Sequence, residues 1–316
     1  MIMKELRVER YTLSKKSLWD RFIGSSKNGT FLFYRDYMEY HSDRFLDHSL
    51  MFFEDTKLIA VMPANKDDNV LVSHGGLTYG GIITDEKMRV GLMLSIFDTL
   101  LETLRQEGIK HVVYKAVPHI YHILPAEEDL YALFIHDAKL KRRDVSATID
   151  MREKLELNRG KKASVNRCKT LGLEVRRSND FTTFMSILEK VLIQKYNVHP
   201  THTTEELTLL AHRFPENIKL FEIHLKEEML AGVVIYESAN VAHMQYSASS
   251  EEGKALDAAD LLFDVLINEY YVGKKYFDFG ISTEREGRYL NQDLMTFKEH
   301  FGARAVAYDF YEMNIP

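Results

Sequence analysis

A pattern of elements that occurs twice limits this chain to a small set of folds. Two apolar runs flank a charged turn at residues 54–57, and residues 220–236 repeat this arrangement around a second charged turn at 226–228. Such pairs of runs are typical of β-hairpins. Each hairpin is followed by a further apolar run, a loop, an amphipathic stretch and another apolar run. We therefore expect one copy of the same architecture in each half of the chain.

The amphipathic stretches indicate helices, because their apolar residues recur at three- and four-residue intervals. In the first half these residues are Val90, Met93, Leu94, Phe97, Leu100, Leu101 and Leu104, and in the second they are Ala259, Leu262, Phe263, Leu266 and Tyr270. A strand that leads through a helix to a second strand implies a right-handed crossover and a partly parallel sheet. The sequence thus predicts an α/β protein with mixed sheets, divided into domains at residues 1–151 and 152–316.

The composition is that of a folded protein with 45% hydrophobic and 28% charged residues. No apolar run approaches the roughly 20 residues of a membrane span, and the N-terminus lacks an apolar signal core. Cys168 is the single cysteine, which excludes an internal disulfide. We expect a cytoplasmic protein with no membrane span.

A basic segment stands out in a chain whose net charge is −6. Residues 139–177 contain 13 Lys and Arg against 5 Asp and Glu. Within it, Arg159, Lys162, Asn166 and Lys169 fall on one arc of a predicted helix. This stripe could hold the phosphates of a nucleotide-linked substrate or of tRNA. The alternative is a solvated helix face balanced by nearby carboxylates.

Five segments together resemble one superfamily. They are SHGGLTYGG at 73–81, RGKKASVNRCKTLGLEVRR at 159–177, KLFEIHLKEEMLAGVVIY at 219–236, YFDFGIS at 276–282 and LNQDLMTFKEHFGA at 290–303. In this order the segments resemble the GNAT superfamily of acyltransferases, in its FemABX-like branch. The resemblance implies tandem GNAT-like (acyl-CoA N-acyltransferase) domains that transfer an acyl or aminoacyl group to an amine.

The donor loop departs from the GNAT pattern. Typical GNAT enzymes carry a Gln/Arg-x-x-Gly-x-Gly/Ala loop, whose backbone N–H groups bind the pyrophosphate of CoA. The matching residues here, 247–254, contain one glycine, and Glu251 and Glu252 would repel a pyrophosphate. Ser249 and Lys254, at either end of this loop, remain candidates for donor binding. Acyl-CoA is therefore one expected donor and aminoacyl-tRNA, used elsewhere in the branch, is the other.

The resemblance also suggests catalytic residues. Lys298, in the segment TFKEHFG, matches a lysine of the branch that lies near substrate phosphates; the alternative is a helix lysine in solvent. Tyr246 would present a hydroxyl near the reacting amine, or would simply pack at a strand end. Asp278, near the carboxyl end of a strand, could take a proton from the amine, or could bond backbone N–H groups.

Three further residues are candidates for substrate binding. Ser282 lies beside Asp278 at the end of the same predicted strand, and Asn291 either contacts a ligand or caps the following helix. Tyr79, between paired glycines, could shape an acceptor pocket or belong to a plain turn.

The sequence gives no case for a metal site. The two His-x-x-His pairs, at 119–122 and 199–202, have no plausible third ligand nearby.

These observations predict an acyltransferase that acts on an amine acceptor, either a small molecule or a nucleotide-linked precursor of the cell envelope or of a polysaccharide. An aminoacyl-tRNA-dependent transferase of the FemABX kind is an alternative. A third possibility is a GNAT-fold protein that binds ligand without catalysis, since the donor loop is degenerate.

Overall fold

The computed structural model describes residues 5–315, which form two compact units. The first unit holds the residues up to Asp144, the segment Glu284–Tyr289 and the residues from Ala307 onward. The second holds Val145–Thr283 and Leu290–Val306. The division into GNAT-like domains at residues 1–151 and 152–316 stays a prediction.

The first unit contains a four-stranded sheet and a second group of strands. Its strands are β1 (Leu6–Arg10), β2 (Leu50–Glu54), β3 (Lys57–Met62), β4 (Asn65–Asp67), β5 (Val70–Val72), β6 (Ile83–Thr84) and β7 (His111–Lys115). Its helices are α1 (Lys16–Gly24), α2 (Arg35–Met38), α3 (Val90–Gln106) and α4 (Glu128–Ile135). One sheet has the order β1-β2-β3-β6, and β5 pairs in parallel with β7. The predicted hairpin is β2 and β3.

Helix α3 forms because its apolar residues repeat with helical spacing, as the sequence predicts. Met93, Phe97, Leu100 and Leu104 are buried and pack against β2, β3 and β7 in one core. Full burial of a side chain such as Phe97 contributes about 2 kcal/mol, so this face holds the helix on the sheets.

The second unit is a six-stranded mixed sheet with helices on both faces. Its strands are the latter part of β8 (Lys139–Asp150), β9 (Glu174–Ser178), β10 (Ile218–Leu225), β11 (Glu228–Glu237), β12 (Val241–Ser249) and β13 (Tyr276–Ile281). Its helices are α5 (Arg159–Thr170), α6 (Phe181–Tyr196), α7 (Thr204–Arg213), α8 (Glu251–Ala255), α9 (Ala258–Val265) and α10 (Gln292–Glu299). Strands β14 (Thr283–Glu284) and β15 (Tyr289–Leu290) pair with each other, and β16 is Arg304–Asn314.

The strand order in the second unit is β8-β13-β12-β11-β10-β9, and β12 with β13 is its parallel pair. Alternate residues of each strand face opposite sides. One face carries Ala242 and Phe277, which pack with residues of α5 and α9. Helix α6 packs on β12 and β11, and its Phe184 ring lies against Gly232. The predicted crossover from β12 through a helix to β13 is therefore present.

Local signals in the sequence account for several helix ends. The sequence Thr203-Thr204-Glu205-Glu206 has the pattern of a capping box, and the box forms: the Thr203 side chain accepts a bond from the Glu206 N–H, and the Glu206 side chain accepts one from the Thr203 N–H. Asn158 caps α5 with a single bond, since its side chain accepts from the Gly160 N–H. Residues 248–254, expected as a loop, contain the start of α8, because Ser250 caps a short helix there.

Candidate active site

Strands β12 and β13 separate before they end. Three register pairs join them, from Val241 and Tyr276 to His243 and Asp278, while β12 continues to Ser249 and β13 to Ile281. Gln245 forms a bulge in β12, because Val234 and Ile235 of β11 pair with Tyr246 and Met244. Bulges re-aim side chains and end strand pairing. The structure thus places a gap at the carboxyl ends of two parallel strands, where α/β proteins bind ligands.

Asp278 lies at the last register pair before this gap, and its side chain has no exposed surface. Its Oδ1 accepts hydrogen bonds from Ser146 Oγ at 2.5 Å and Thr148 Oγ1 at 2.8 Å. Its Oδ2 lies 2.8 Å from Nδ1 of His243. A buried carboxylate needs such donors to offset its loss of hydration. The Asp278 carboxylate is therefore shielded from solvent, and it contacts a histidine that keeps 13% of its side chain exposed.

Lys298 is also buried, with 2% of its surface exposed, so the alternative of a helix lysine in solvent is wrong. Its Nζ donates to the carbonyl oxygens of Gly280 and Ile281, each at 2.8 Å. Burial lowers the pKa of this lysine to about 8, against the opposing charge of Asp278. Gly280 has φ of 75°, a conformation that favours glycine. The two hydrogen bonds from Lys298 thus stabilise the backbone conformation at the end of β13.

Tyr246 follows the bulge in β12 and meets a histidine from the α6–α7 connection. Its hydroxyl lies 2.6 Å from Nδ1 of His202, and burial raises its pKa. His202 lines a pocket of about 380 Å³ together with Glu189, His199 and Glu205. A hydroxyl bonded to an imidazole can pass a proton in either direction. The pocket is acidic, which suits a ligand that carries an amine.

Ser282 and Asn291 lie next to each other after β13. The Asn291 N–H donates to the Ser282 carbonyl at 2.9 Å, and Asn291 Oδ1 accepts from Leu294 N–H at 3.1 Å. Asn291 therefore caps α10, which is one of the two alternatives that the sequence left open for this residue. Ser282 is 1% exposed, and its Oγ has no hydrogen-bond partner among residues 5–315.

In the loop expected to bind the donor, packing and ion pairing account for the glycine and the lysine. A Cβ on Gly253 would lie 2.0 Å from the Leu230 carbonyl oxygen, so close packing on β11 requires this glycine. Lys254 is paired with Glu251 at 2.6 Å. Ser249, Glu251 and Glu252 line a pocket of about 260 Å³. These carboxylates oppose the binding of a pyrophosphate at the start of α8.

The predicted basic stripe is an exposed face of α5 with carboxylate neighbours. Lys162 pairs with Glu156 at 2.7 Å, and Lys169 pairs with Asp264 at 3.3 Å. Arg159 is exposed at the first turn of the same helix. Exposed pairs of this kind contribute little to stability. The arrangement matches the solvated face that the sequence allowed as an alternative.

Tyr79 lies in the core of the first unit rather than on an open pocket. Its ring is 4% exposed, packs against Tyr121 at 4.4 Å, and its hydroxyl donates to Thr30 Oγ1 at 3.3 Å. Gly80 and Gly81 are needed for packing, since a Cβ would meet the Ser73 carbonyl oxygen or the Tyr114 ring. The turn alternative fits this geometry better than the acceptor pocket.

No sequence pattern pointed to His243, Ser146 or Thr148 as site residues. His202 stood out only as part of the His-x-x-His pair at 199–202. Neither hydroxyl residue lies in a recognisable motif. Between residues 5 and 315, no cluster of three or more His, Cys, Asp or Glu side chains has the form of a metal site. None of the helices in this range is both long and apolar enough to cross a bilayer.

Residues 157–289 match the family model described as an acetyltransferase (GNAT) domain. This match runs from just before α5 to the first residue of β15, and it includes the gap between β12 and β13. No curated protein matches the chain. The sequence resemblance to the GNAT superfamily is therefore confirmed in the second half.

Solved structures share the fold over nearly the whole chain. FemX superposes with a TM-score of 0.67 at 13% identity, covering 95% of this chain and 96% of its own. L-PGS from Bacillus licheniformis gives 0.58 at 14% identity, with coverage of 96% and 93%. A tandem GNAT protein from the clavulanic acid biosynthesis pathway gives 0.50 at 9% identity, with 99% of each chain covered. The chain therefore has the tandem GNAT-like fold that the sequence predicts, and its residues 157–289 match an acetyltransferase (GNAT) domain.

Proposed function

We propose that this protein is an N-acyltransferase that moves an acyl or aminoacyl group to an amine at the gap between β12 and β13. The divergence of these parallel strands after His243 and Asp278 carries the proposal. An extended donor would lie along β12 beyond His243, because β13 no longer pairs with β12 there. The gap also lies within the residues that match the GNAT family model.

The reaction has three requirements that residues near the gap can meet. The amine nitrogen attacks the carbonyl carbon of a thioester or ester, and the bond from that carbon to sulfur or oxygen breaks. The amine loses a proton, for which the imidazole of His202 or His243 is a suitable base. The leaving group gains a proton, which the Tyr246 hydroxyl can supply. Backbone N–H groups at the gap would stabilise the oxyanion.

Acyl-CoA is the first candidate donor, because the GNAT match in residues 157–289 favours it. An aminoacyl ester, such as aminoacyl-tRNA, is the second. The acidic start of α8 favours this second donor, since Glu251 and Glu252 line the pocket where a CoA pyrophosphate would bind. The similarity in fold to FemX and L-PGS agrees with it. Ser249, Lys254, Arg159, Lys162 and Lys169 are then proposed contacts for the phosphates of either donor.

The acceptor that we propose is a small molecule or a nucleotide-linked precursor with a free amine, in the cytoplasm. A precursor of the cell envelope or of a polysaccharide fits the resemblance to the FemABX-like branch. The acidic pocket beside His202, with Glu189 and Glu205, supports a cationic amine. Ser282, which is buried beside the end of β13, remains a proposed contact. The division into domains at residues 1–151 and 152–316 also remains a proposal.

Calorimetric titration with acetyl-CoA and longer acyl-CoAs tests the donor, with transfer to a panel of amines as the second readout. Micromolar binding together with turnover that falls in Tyr246→Phe would support the CoA-dependent reaction. Tyr289→Phe, an exposed tyrosine on β15, is the matched control.

A protein that binds no acyl-CoA but binds charged tRNA in preference to uncharged tRNA would be an aminoacyl transferase. Binding of an amine acceptor without turnover with either donor would contradict the enzymatic proposal and leave a ligand-binding protein.

A further inference from the structure

A third pocket lies in the second unit at the amino ends of β12 and β13, at the opposite end of these strands from the gap. Its volume is about 280 Å³. Arg177, Lys219 and Lys274 line it together with one carboxylate, Glu237. The lining therefore carries a surplus of positive charge, although the whole chain carries −6. A concave surface of one sign concentrates ligands of the opposite sign.

Glu237 fixes two of these cations. Its Oε1 lies 2.7 Å from Lys219 Nζ and its Oε2 lies 3.3 Å from Lys274 Nζ. The Tyr271 hydroxyl also donates to Oε1 at 2.9 Å. Lys219 and Glu237 are largely buried, so the network is part of the built interior rather than a loose surface pair. Two ammonium groups held by one carboxylate leave one net positive charge in place before any ligand arrives.

Arg177 supplies a third cation at the rim. Its Nη2 donates to the Pro215 carbonyl at 3.1 Å, which orients the guanidinium. A guanidinium has five N–H donors in a planar fork that matches phosphate, so one backbone bond leaves capacity for a ligand.

The aromatic wall of the pocket comes from an irregular helix. Residues Leu266–Tyr270 form a π-helical turn directly after α9. Such turns are rare and occur frequently at functional sites. This one places Tyr270 and Tyr271 consecutively on the pocket, and Phe221 supports the Tyr270 ring edge-on at 4.8 Å. The Tyr270 ring remains 49% exposed, which leaves a face for another planar group to stack on.

We propose that this pocket binds a nucleoside monophosphate, with the phosphate on Arg177 and Lys274 and the base against Tyr270. The two parts of the lining match the two parts of such a ligand, a charged group and a planar ring. The open space beside Gly273, where a Cβ would meet nothing within 4 Å, leaves room for the sugar. The site is separate from the gap between β12 and β13, so the inference does not depend on the transferase activity.

Calorimetric titration of the full chain with AMP, adenosine and inorganic phosphate tests the proposal. AMP should bind more tightly than either fragment, because both the phosphate and the ring are recognised. Arg177→Ala and Lys274→Ala should each raise the Kd for AMP by about tenfold, as expected for loss of one charge-assisted contact. Tyr270→Leu should weaken AMP and leave phosphate unchanged.

Lys275→Ala is the matched control, since this exposed neighbour of Lys274 does not line the pocket. Thermal melting of each variant separates a loss of binding from a loss of folding. The proposal is overturned when AMP does not bind, when phosphate alone binds as tightly as AMP, or when Lys275→Ala weakens AMP as much as Lys274→Ala does.

Discussion

His243 and Asp278 face each other at the last register pair before β12 and β13 separate, with Nδ1 of the imidazole 2.8 Å from Oδ2 of the carboxylate. The carboxylate has no exposed surface, whereas the imidazole keeps 13% of its own. A buried carboxylate that bonds an imidazole fixes the tautomer and the orientation of the ring. The pair therefore couples the core of the sheet to the site where we propose that the acyl group is transferred.

Replacing Asp278 with Asn should lower the rate of acyl transfer by about a hundredfold, because the amide no longer holds the His243 imidazole in the same tautomer and orientation. The free energy of unfolding should fall by about 1–3 kcal/mol, since hydroxyl donors in the core lose an anionic acceptor. Steady-state kinetics and urea denaturation measure the two effects. Asp150→Asn, on the neighbouring strand β8 and paired with exposed Arg152, should change neither by much. A rate that survives in Asp278→Asn would remove the pair from the mechanism.

Tyr246→Phe should reduce the turnover number by about tenfold to a hundredfold while changing the KM for the acceptor less, since the hydroxyl acts on the proton rather than on binding. His202→Gln should give a similar loss, because it removes the imidazole 2.6 Å from that hydroxyl. In the double variant the two losses should not add, as expected for groups that act as a unit. Fully additive losses would show that the two residues act separately.

The burial of Lys298 should make the free energy of unfolding depend on pH. Burial lowers the pKa of this lysine from 10.5 to about 8, so the unfolded chain binds its proton more tightly than the folded one. The folded state is therefore penalised below pH 8, and this penalty is relieved as the pH rises towards 10.5. The stability of the wild type relative to Lys298→Met should increase by about 1–3 kcal/mol between pH 7.5 and 9.5. Urea denaturation at both values measures it.

The matched control for this experiment is Lys275→Met, an exposed lysine whose removal should give the same stability difference at both pH values. An unchanged difference for Lys298→Met as well would mean that Lys298 keeps an ordinary pKa. The role of its Nζ as a support for the carbonyls of Gly280 and Ile281 would then rest on geometry alone.

The fold could be predicted from the sequence because helices, strands and caps leave patterns within short stretches of the chain. The spacing of Met93, Phe97 and Leu100 identifies α3, and the box at Thr203 and Glu206 identifies the start of α7. The repeat of hairpin, strand, helix and strand then determines the mixed sheets, since few topologies connect these elements.

The candidate site was predicted only in part, because its contacts are long-range. Ser146 and Asp278 are 132 positions apart in sequence, and their bond depends on the pairing of β8 with β13. No periodicity reports such a contact. The sequence likewise could not show that Lys298 points into the core, because a single lysine on a short helix is compatible with a buried or an exposed position.

Gly253→Ala should destabilise the second unit, because a Cβ at this position would lie 2.0 Å from the Leu230 carbonyl oxygen on β11. We expect a loss of about 1–3 kcal/mol, as for overpacking elsewhere. Gly91→Ala in α3 is the control, since a Cβ there meets nothing within 4 Å and alanine favours a helix by about 1 kcal/mol. Thermal melting should therefore move in opposite directions for the two variants. An unchanged melting temperature in Gly253→Ala would leave ligand binding as the reason for this glycine.

Replacing both Glu251 and Glu252 with Gln tests how the donor loop selects its ligand. The carboxylates line the pocket at the start of α8, where the pyrophosphate of CoA would bind in a typical GNAT domain. Removing two negative charges should raise the affinity for acetyl-CoA by about threefold to tenfold, and the gain should shrink in high salt because exposed charges are screened. Calorimetry at low and high ionic strength measures both. Glu153→Gln with Glu216→Gln is the control, since it removes two exposed carboxylates elsewhere in the second unit. Equal affinities in the wild type and the double variant would mean that CoA does not approach this loop, and the aminoacyl donor would then be the stronger candidate.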